Sequence, residues 1–147
     1  MDVSELRIGD WIRQVDDESD ATSVVQVLGI DINDNIWARG LLGEDLKPID
    51  AIGCCAVECF EPIPLTPEIL EKNGFVIKNG FAQIGNFGNS PLIIWHFKDD
   101  PILRHFTHEL EIHQNDTGKV HVHIQCDFVH ELQHVLSVCG IEKVREL

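Results

Sequence analysis

The sequence is poor in basic residues. Its 147 residues include 11 lysines and arginines against 25 aspartates and glutamates, and the formal net charge is −14. Non-specific binding of DNA or RNA needs a cationic face, and an anionic membrane surface attracts the same basic side chains. The charge balance therefore argues against a nucleic-acid partner and against a membrane partner.

Long apolar runs are missing as well. The longest apolar stretch of interest, Leu92–Trp95, has the length of a strand, whereas a membrane-spanning helix needs about 18 or more apolar residues. The segment Met1–Leu6 has neither the basic region nor the apolar region of a secretion signal. These two features predict a protein that is neither secreted nor membrane-spanning.

The cysteines do not follow a disulfide or zinc-ribbon pattern. The chain contains an odd number of them, Cys54, Cys55, Cys59, Cys126 and Cys139, and no two are separated by two residues. On a strand, Cys55 and Cys59 would share one face with Val57 and pack as small apolar side chains. The sequence therefore predicts reduced thiols and a cytoplasmic location.

Charge and histidine content divide the chain into two parts. Residues 1–65 hold 14 acidic and 4 basic residues, residues 66–147 hold 11 and 7, and all eight histidines lie at or after His96. Three prolines within Pro62–Pro67 stiffen the segment between the two parts. We predict domains at 1–64 and 65–147, with one continuous domain as the alternative.

The first part has the pattern of a small β-barrel. Short β-branched or alternating segments at 6–12, 24–30, 36–42 and 56–63 are separated by turn residues about every ten positions. The Gly9-Asp10-Trp11 entry to the first segment resembles the first strand of SH3-like barrels. We therefore predict an SH3-like β-barrel in residues 1–64.

The second part predicts an α+β unit with two helices and an antiparallel sheet. Thr66 and Pro67 suit the start of a short helix, and Gly74 suits its end, with Phe75 folding back onto Leu70. Strands are expected at 75–78, 81–84 and 92–97, and a final helix at 128–139 between Asp127 as N-cap and Gly140. The predicted fold class is α+β, with the N-terminal barrel packed on this unit.

The segment 109–125 predicts a β-hairpin with a defined register. The alternating apolar residues of its two strands lie on the same face of the hairpin if the loop is Asp116-Thr117-Gly118, with Gly118 in the left-handed conformation. This register pairs Ile112 with Val122, Leu110 with Ile124, Glu111 with His123, and His113 with His121. The polar partners are expected on a solvated sheet face, and a metal patch or a pH-sensitive surface is the alternative. His108 has the parity of Leu110, which predicts a hydrogen-bonded core residue.

The segment His130–His134 matches the H-E-x-x-H pattern of zinc peptidases. In that pattern two histidines one helical turn apart bind zinc, and the glutamate activates the zinc-bound water. The hypothesis of a zinc-dependent hydrolase therefore assigns His130 and His134 as metal ligands and Glu131 as the catalytic base.

Three features of the sequence argue against that hypothesis. A third ligand is missing downstream, since Ser137 and Gly140 occupy the positions of the usual glycine and histidine extension. At 100° per residue, His130 and His134 point away from the apolar stripe of the helix, which predicts that both imidazoles face solvent. About 80 residues are also few for a peptidase fold. We therefore predict no catalytic residue and no metal, with zinc at His130 and His134 as the alternative.

Three segments together resemble a known family. They are Glu5–Trp11, Phe60–Phe75 and Val129–His134, and they are similar to a family of small uncharacterised proteins from gut-dwelling bacteria and their phages. This resemblance implies no established activity. It also implies glutamine in many members at the position of Glu131, and glutamine cannot act as a general base.

These observations favour a non-enzymatic function. We expect a cytoplasmic protein-binding or accessory module that meets a protein partner through the acidic loop 16–20 or an exposed sheet edge. The chain has no phosphate-binding glycine loop and no G-x-S-x-G nucleophile motif. A zinc-dependent hydrolase and a phage-related structural or accessory oligomer are the alternatives, and the sequence does not set the oligomeric state.

Overall fold

The computed structural model describes residues 1–15, 22–42, 50–86, 90–98, 107–113, 120–141, 144 and 146–147. The chain divides into two compact units, Met1–Ile63 and Pro64–Leu147. Each unit contains one five-stranded antiparallel sheet, and the second unit also contains two α-helices. The predicted α+β class is therefore confirmed. No helix in the described ranges is both long enough and apolar enough to cross a membrane.

The first unit is a sheet in which sequential strands pair and the last strand returns to the first. Its strands are β1 (Trp11–Val15), β2 (Thr22–Ile30), β3 (Asn35–Leu42), β4 (Ile52–Ala56) and β5 (Phe60–Pro62). The order across the sheet is β4-β3-β2-β1-β5. Short 3-10 turns at Val3–Glu5 and Val57–Cys59 precede β1 and β5.

The core of the first unit follows from alternation along these strands. Successive side chains point to opposite faces of a strand, so Ile12, Val25 and Ile36 reach the interior with their neighbours two positions away. One cluster of buried apolar side chains forms this core, namely Leu6, Ile12, Val25, Val27, Ile36, Ala38 and Phe60. Cys55, Val57 and Cys59 pack against them, as expected for small apolar side chains. The predicted strand at 56–63 is wrong over Val57–Cys59, because these residues form a 3-10 turn, so the three side chains do not share the face of one strand.

The entry to β1 differs from the predicted strand over residues 6–12. Gly9 has a φ of 99°, and the buried carboxylate of Asp10 accepts a hydrogen bond from the Arg7 backbone N–H at 2.7 Å. This turn places the start of the strand at Trp11. Among the described residues no ladder joins β4 to β5, so a closed barrel is not confirmed.

The second unit is a five-stranded meander with two helices. Its strands are β6 (Val76–Lys78), β7 (Phe81–Asn86), β8 (Ser90–His96), β9 (Glu109–His113) and β10 (Val120–Gln125). They lie in sequence order across the sheet. The helices are α1 (Pro67–Lys72) and α2 (Val129–Val138).

The first helix begins and ends as predicted. The Thr66 side chain accepts a hydrogen bond from Ile69 N at 3.4 Å, and Pro67 occupies the first helical turn. Gly74 has a φ of 85°, and Phe75 N donates to Leu70 O at 3.0 Å, which closes the helix. Leu70 and Phe75 are both buried, so the predicted apolar contact across this end is consistent with the structure.

The second helix begins differently from the prediction. Phe128, and not Asp127, is the N-cap, and Glu131 Oε2 accepts hydrogen bonds from Asp127 N at 2.7 Å and Phe128 N at 3.0 Å. Asp127 is unsuited to cap the helix because His108 Nδ1 and Gln125 Nε2 bond to its carboxylate. The start of the helix is therefore stabilised by the carboxylate of Glu131 in its first turn.

The hairpin register is confirmed for the three pairs Ile112–Val122, Leu110–Ile124 and Glu111–His123. The fourth predicted pair is wrong, because His113 pairs with Val120. The register shifts between Val120 and Val122, and this irregularity displaces His121 from the predicted position. The predicted loop Asp116-Thr117-Gly118 lies outside the described residues.

Candidate functional site

The H-E-x-x-H segment of α2 contains a buried histidine. His130 is 1% exposed and its ring stacks on Phe128, with 5.8 Å between centroids and 8° between planes. The His134 ring meets it edge-on at 6.0 Å between centroids, and His134 is half-buried. The prediction that both imidazoles face solvent is therefore wrong for His130.

The width of the buried face of α2 explains this error. The helix buries Gln133 and His130 beside its apolar residues, so the covered surface is broader than the apolar stripe. The helical projection counted only apolar side chains and placed the histidines opposite to them. Polar side chains near a helix start can be buried when neighbouring elements cover them, which a one-helix projection does not include.

Glu131 has a structural contact at the start of α2. Its Oε2 atom accepts two backbone N–H groups, as described above, which orients the carboxylate along the helix start. A zinc peptidase would instead direct this carboxylate at a water on the metal. The geometry thus explains the glutamate of the motif through helix capping.

A second group of histidines and carboxylates lies on one face of β8, β9 and β10. Glu111 is 3% exposed, and its two carboxylate oxygens contact His96 Nε2 at 3.0 Å and His113 Nε2 at 2.8 Å. Ile94 lies directly opposite Glu111 on β8, so His96 is its diagonal neighbour on the same face. The sheet register therefore brings the two imidazoles to one carboxylate.

The same face continues to the outer strand of the sheet. His123 Nδ1 lies 2.6 Å from Glu109 Oε1, and the His123 side chain is 46% exposed. One ligand atom from each of Glu109, Glu111 and His123 can be chosen so that all three lie within 4.8 Å of one another. We call these residues, together with His96 and His113, the histidine–carboxylate cluster.

The buried carboxylate of Glu111 is satisfied by its two histidine partners. Moving an ionised carboxylate out of water is costly unless hydrogen bonds replace its hydration. An ionised carboxylate accepts hydrogen bonds and an imidazole Nε2–H can donate one, so the Nε2 atoms of His96 and His113 are placed to satisfy the two oxygens of Glu111. The two histidines thereby compensate for the lost hydration of the carboxylate.

The predicted solvated face is wrong for the inner part of the cluster. Glu111 and His113 are buried, whereas His123 is exposed as expected. The side chain of His121 lies outside the described structure. The contact between His96 and Glu111 was not predicted. It depends on how β8 pairs with β9, and the sequence pattern of the hairpin gives no information on that pairing.

His108 forms a separate contact at the start of β9. Its ring stacks on Trp95 at 5.3 Å and 9°, and its Nδ1 lies 2.7 Å from Asp127 Oδ1. The predicted hydrogen bond is confirmed, but the predicted burial is wrong because the side chain is 39% exposed. His108 has a φ of 63°, which takes it out of the strand alternation on which that prediction depended.

The first unit contains a cleft on the inner side of its sheet. It encloses about 180 Å³. Each of the five strands contributes at least one residue to its wall, and Ala51, just before β4, adds another. The wall consists of Gln14, Ser23, Val25, Ala38, Gly40, Ala51, Ile52, Gly53, Cys55 and Phe60. Gln14 Nε2 lies 3.6 Å from Cys55 Sγ across it.

The cysteines of the second unit are poor nucleophiles. Burial raises the pKa of the Cys126 thiol well above its ordinary value, and the negative charges of Glu131 and Asp127 raise it further. Burial also raises the pKa of Cys139. Both thiols therefore stay protonated near neutral pH.

Within the described ranges, the group of three side chains placed to hold a metal ion is Glu109, Glu111 and His123, and neither His130 nor His134 belongs to it.

In comparisons with known proteins, no protein family, curated protein or solved structure matches the chain. The resemblance to small proteins of gut-dwelling bacteria and their phages stays a prediction.

Proposed function

We propose that this protein is a non-enzymatic protein-binding module whose first unit binds an extended, basic segment of a partner protein. The observation that carries the proposal is the cleft of about 180 Å³ at the inner side of the first sheet. A concave, mostly apolar wall with a few polar groups is the usual form of a binding site.

The wall of the cleft combines an apolar base with an accessible strand. Val25, Ala38 and Phe60 are buried and supply the apolar base. Ile52 on β4 is 59% exposed, so a bound side chain can cover it. Because β4 lies at one end of the sheet, an extended segment can also pair with its backbone.

The charge of the first unit supports a basic partner. Met1–Ile63 holds 14 acidic and 4 basic residues, a net charge of −10. Complementary charge increases the association rate and disfavours partners of the same sign. The same charge disfavours nucleic acid and anionic membranes as partners. The predicted acidic loop 16–20 lies outside the described residues. The proposed contact surface for the partner is therefore the cleft.

The strand arrangement supports an SH3-like module. β5 pairs with β1, and the 3-10 turn Val57–Cys59 connects β4 to β5. A five-stranded unit that brings its last strand beside its first curls around one core. We propose that the first unit is a partly open barrel of this type. The cytoplasmic location stays a prediction from the cysteine content.

The test is binding of a labelled peptide to the full chain, measured by fluorescence polarisation. The peptide alternates lysine with valine, because valine favours an extended strand. We expect saturable binding, and about tenfold weaker binding to Ile52→Lys, since the new cation lies in the cleft. A matched peptide that alternates glutamate with valine should not bind.

Ile32→Lys is the matched control. Ile32 is 99% exposed in the turn between β2 and β3 and lies outside the cleft wall. Its substitution adds the same positive charge as Ile52→Lys, but away from the cleft. It should leave binding nearly unchanged. The proposal is overturned if the lysine peptide fails to bind at about 1 mM, or if both variants weaken binding equally.

The two alternatives remain separate hypotheses with their own measurements. Stoichiometric zinc in protein without a histidine tag, lost in His134→Ala, would support a zinc-dependent hydrolase using His130, Glu131 and His134. Light scattering would show whether the chain forms the phage-related oligomer. No geometry described above favours either of them over the binding module.

A further inference from the structure

We propose that the histidine–carboxylate cluster binds a divalent transition-metal ion, zinc first among them, through Glu109, Glu111 and His123. This site is independent of the peptide-binding cleft, since all three ligands belong to the second unit. It also differs from the H-E-x-x-H segment of α2, because its ligands come from β9 and β10.

The spacing of the three ligand atoms suits one ion. They lie within 4.8 Å of one another, and ligands bound to one zinc at about 2.0–2.2 Å lie roughly 3.3 Å apart. Rotations of the partly exposed His123 and Glu109 side chains can supply the difference. His123 Nδ1 lies within hydrogen-bond distance of Glu109 Oε1, at 2.6 Å, and a bound ion would take the place of the proton between them.

Glu111 is held in place for such a role by a second layer of hydrogen bonds. His96 Nε2 and His113 Nε2 bond to its two oxygens. Each carboxylate oxygen has two lone pairs, so an oxygen that accepts one hydrogen bond can still bind an ion. Metal-binding carboxylates are commonly fixed by such outer partners, which reduces the ordering cost of metal binding.

The charge and chemistry of the ligands select the kind of ion. Two carboxylates and a neutral imidazole carry a charge of −2, which a divalent cation neutralises inside a partly buried site. An imidazole nitrogen favours zinc, cobalt or nickel, whereas magnesium and calcium prefer oxygen ligands alone. The exposed edge of His123 leaves a route for the ion to enter and for water to complete its coordination.

The test is isothermal titration of zinc into the full chain, expressed without a histidine tag and first treated with a chelator. We expect one zinc per chain, and a cobalt complex with visible absorption bands that zinc displaces. Magnesium should give no heat of binding. His123→Gln and Glu109→Gln should each weaken zinc binding by at least about 10–100-fold.

His134→Gln is the matched control, because it removes a histidine of the same chain from α2. It should leave zinc binding unchanged. Circular dichroism checks that each variant is folded. His123→Gln and Glu109→Gln both change partly exposed side chains, so at least one of them should retain the fold. His113→Gln, which alters only the support of Glu111, should give a smaller loss of affinity and a shifted cobalt spectrum.

The proposal is overturned by either of two outcomes. One is the absence of zinc binding at about 1 mM in the folded wild-type protein. The other is zinc binding that survives both His123→Gln and Glu109→Gln, which includes the case in which only His134→Gln abolishes it. Neither outcome bears on the peptide-binding proposal, whose variants lie in the first unit.

Discussion

The two units have sheets of the same size but bury different kinds of side chain. Both contain five antiparallel strands. Among the described residues of the first unit, the buried side chains are apolar except for Asp10. In the second unit, buried polar residues accompany the apolar core, namely His96, Glu111, His113, His130 and Gln133.

This difference affects how each unit is stabilised. Apolar burial contributes in proportion to area and depends little on the exact orientation of neighbours. A buried carboxylate contributes only when its partners are in place, and it becomes strongly unfavourable when one is removed. The second unit should therefore be sensitive to substitution of its buried polar residues as well as to loss of apolar volume.

The largest expected effect is from Glu111→Ala in the second unit. The substitution leaves the Nε2 atoms of His96 and His113 facing an apolar methyl group. Each unsatisfied buried polar group costs about 1–3 kcal/mol, so we expect a loss of about 2–6 kcal/mol in the free energy of unfolding. Hydrogen exchange with mass spectrometry, which resolves the two units, is the measurement. A loss below about 1 kcal/mol would show that the buried carboxylate does not stabilise this unit.

A comparable loss is expected in the first unit from Ile12→Ala. Ile12 is fully buried in the core of the unit, and removing its side chain leaves a cavity. We expect a loss of about 2–5 kcal/mol by urea denaturation. Ile8→Ala, which changes an exposed side chain in the turn before β1, serves as the control. Equal losses in both variants would contradict the assigned core.

A smaller effect is expected from Glu131→Ala. This change removes the acceptor for Asp127 N and Phe128 N at the start of α2, and helix caps contribute about 1 kcal/mol. Glu131→Gln retains an acceptor oxygen and should lose less stability. Thermal denaturation of the two variants checks the order, and a reversed order would exclude the capping role.

The smallest effect is a pH dependence from Asp31 in the first unit. The side-chain amide of Asn35 and the backbone N–H groups of Asn33 and Asn35 hold the pKa of Asp31 below its ordinary value of 3.8. The folded state therefore favours the ionised form. Its stabilisation is present above pH 3.8 and is lost as pH falls through the lower pKa of the folded state.

Asp31→Asn should remove this part of the acid dependence. Urea titrations of the wild type and the variant between about pH 2 and pH 5 would measure it, since the difference between them should shrink toward the acid end. Asp50→Asn, at an exposed aspartate away from this turn, is the control. A difference that grows toward low pH would contradict the proposed direction of the pKa shift.

Many regular elements of both units could be predicted from local patterns, whereas β4 was missed and the predicted strand at 56–63 forms the 3-10 turn Val57–Cys59 and the short β5 instead. Helix α1 followed from Thr66, Pro67 and Gly74, and three of the four hairpin pairs followed from alternation. These features depend on residues that are close in sequence, and their steric and hydrogen-bonding preferences act locally. The bulge beside Val120 was missed because a register shift leaves the apolar pattern almost unchanged.

The amino-acid sequence by itself determined most of the strand and helix segments, although not β4, together with the acidic character of the first 65 residues and many of the apolar core positions. Only the tertiary structure decided the environment of the polar side chains. Burial of His130 and the approach of His96 to Glu111 depend on which elements lie over α2 and beside β9. Hydrophobic periodicity records where apolar side chains point, whereas a buried polar contact requires two specific atoms from distant segments to meet.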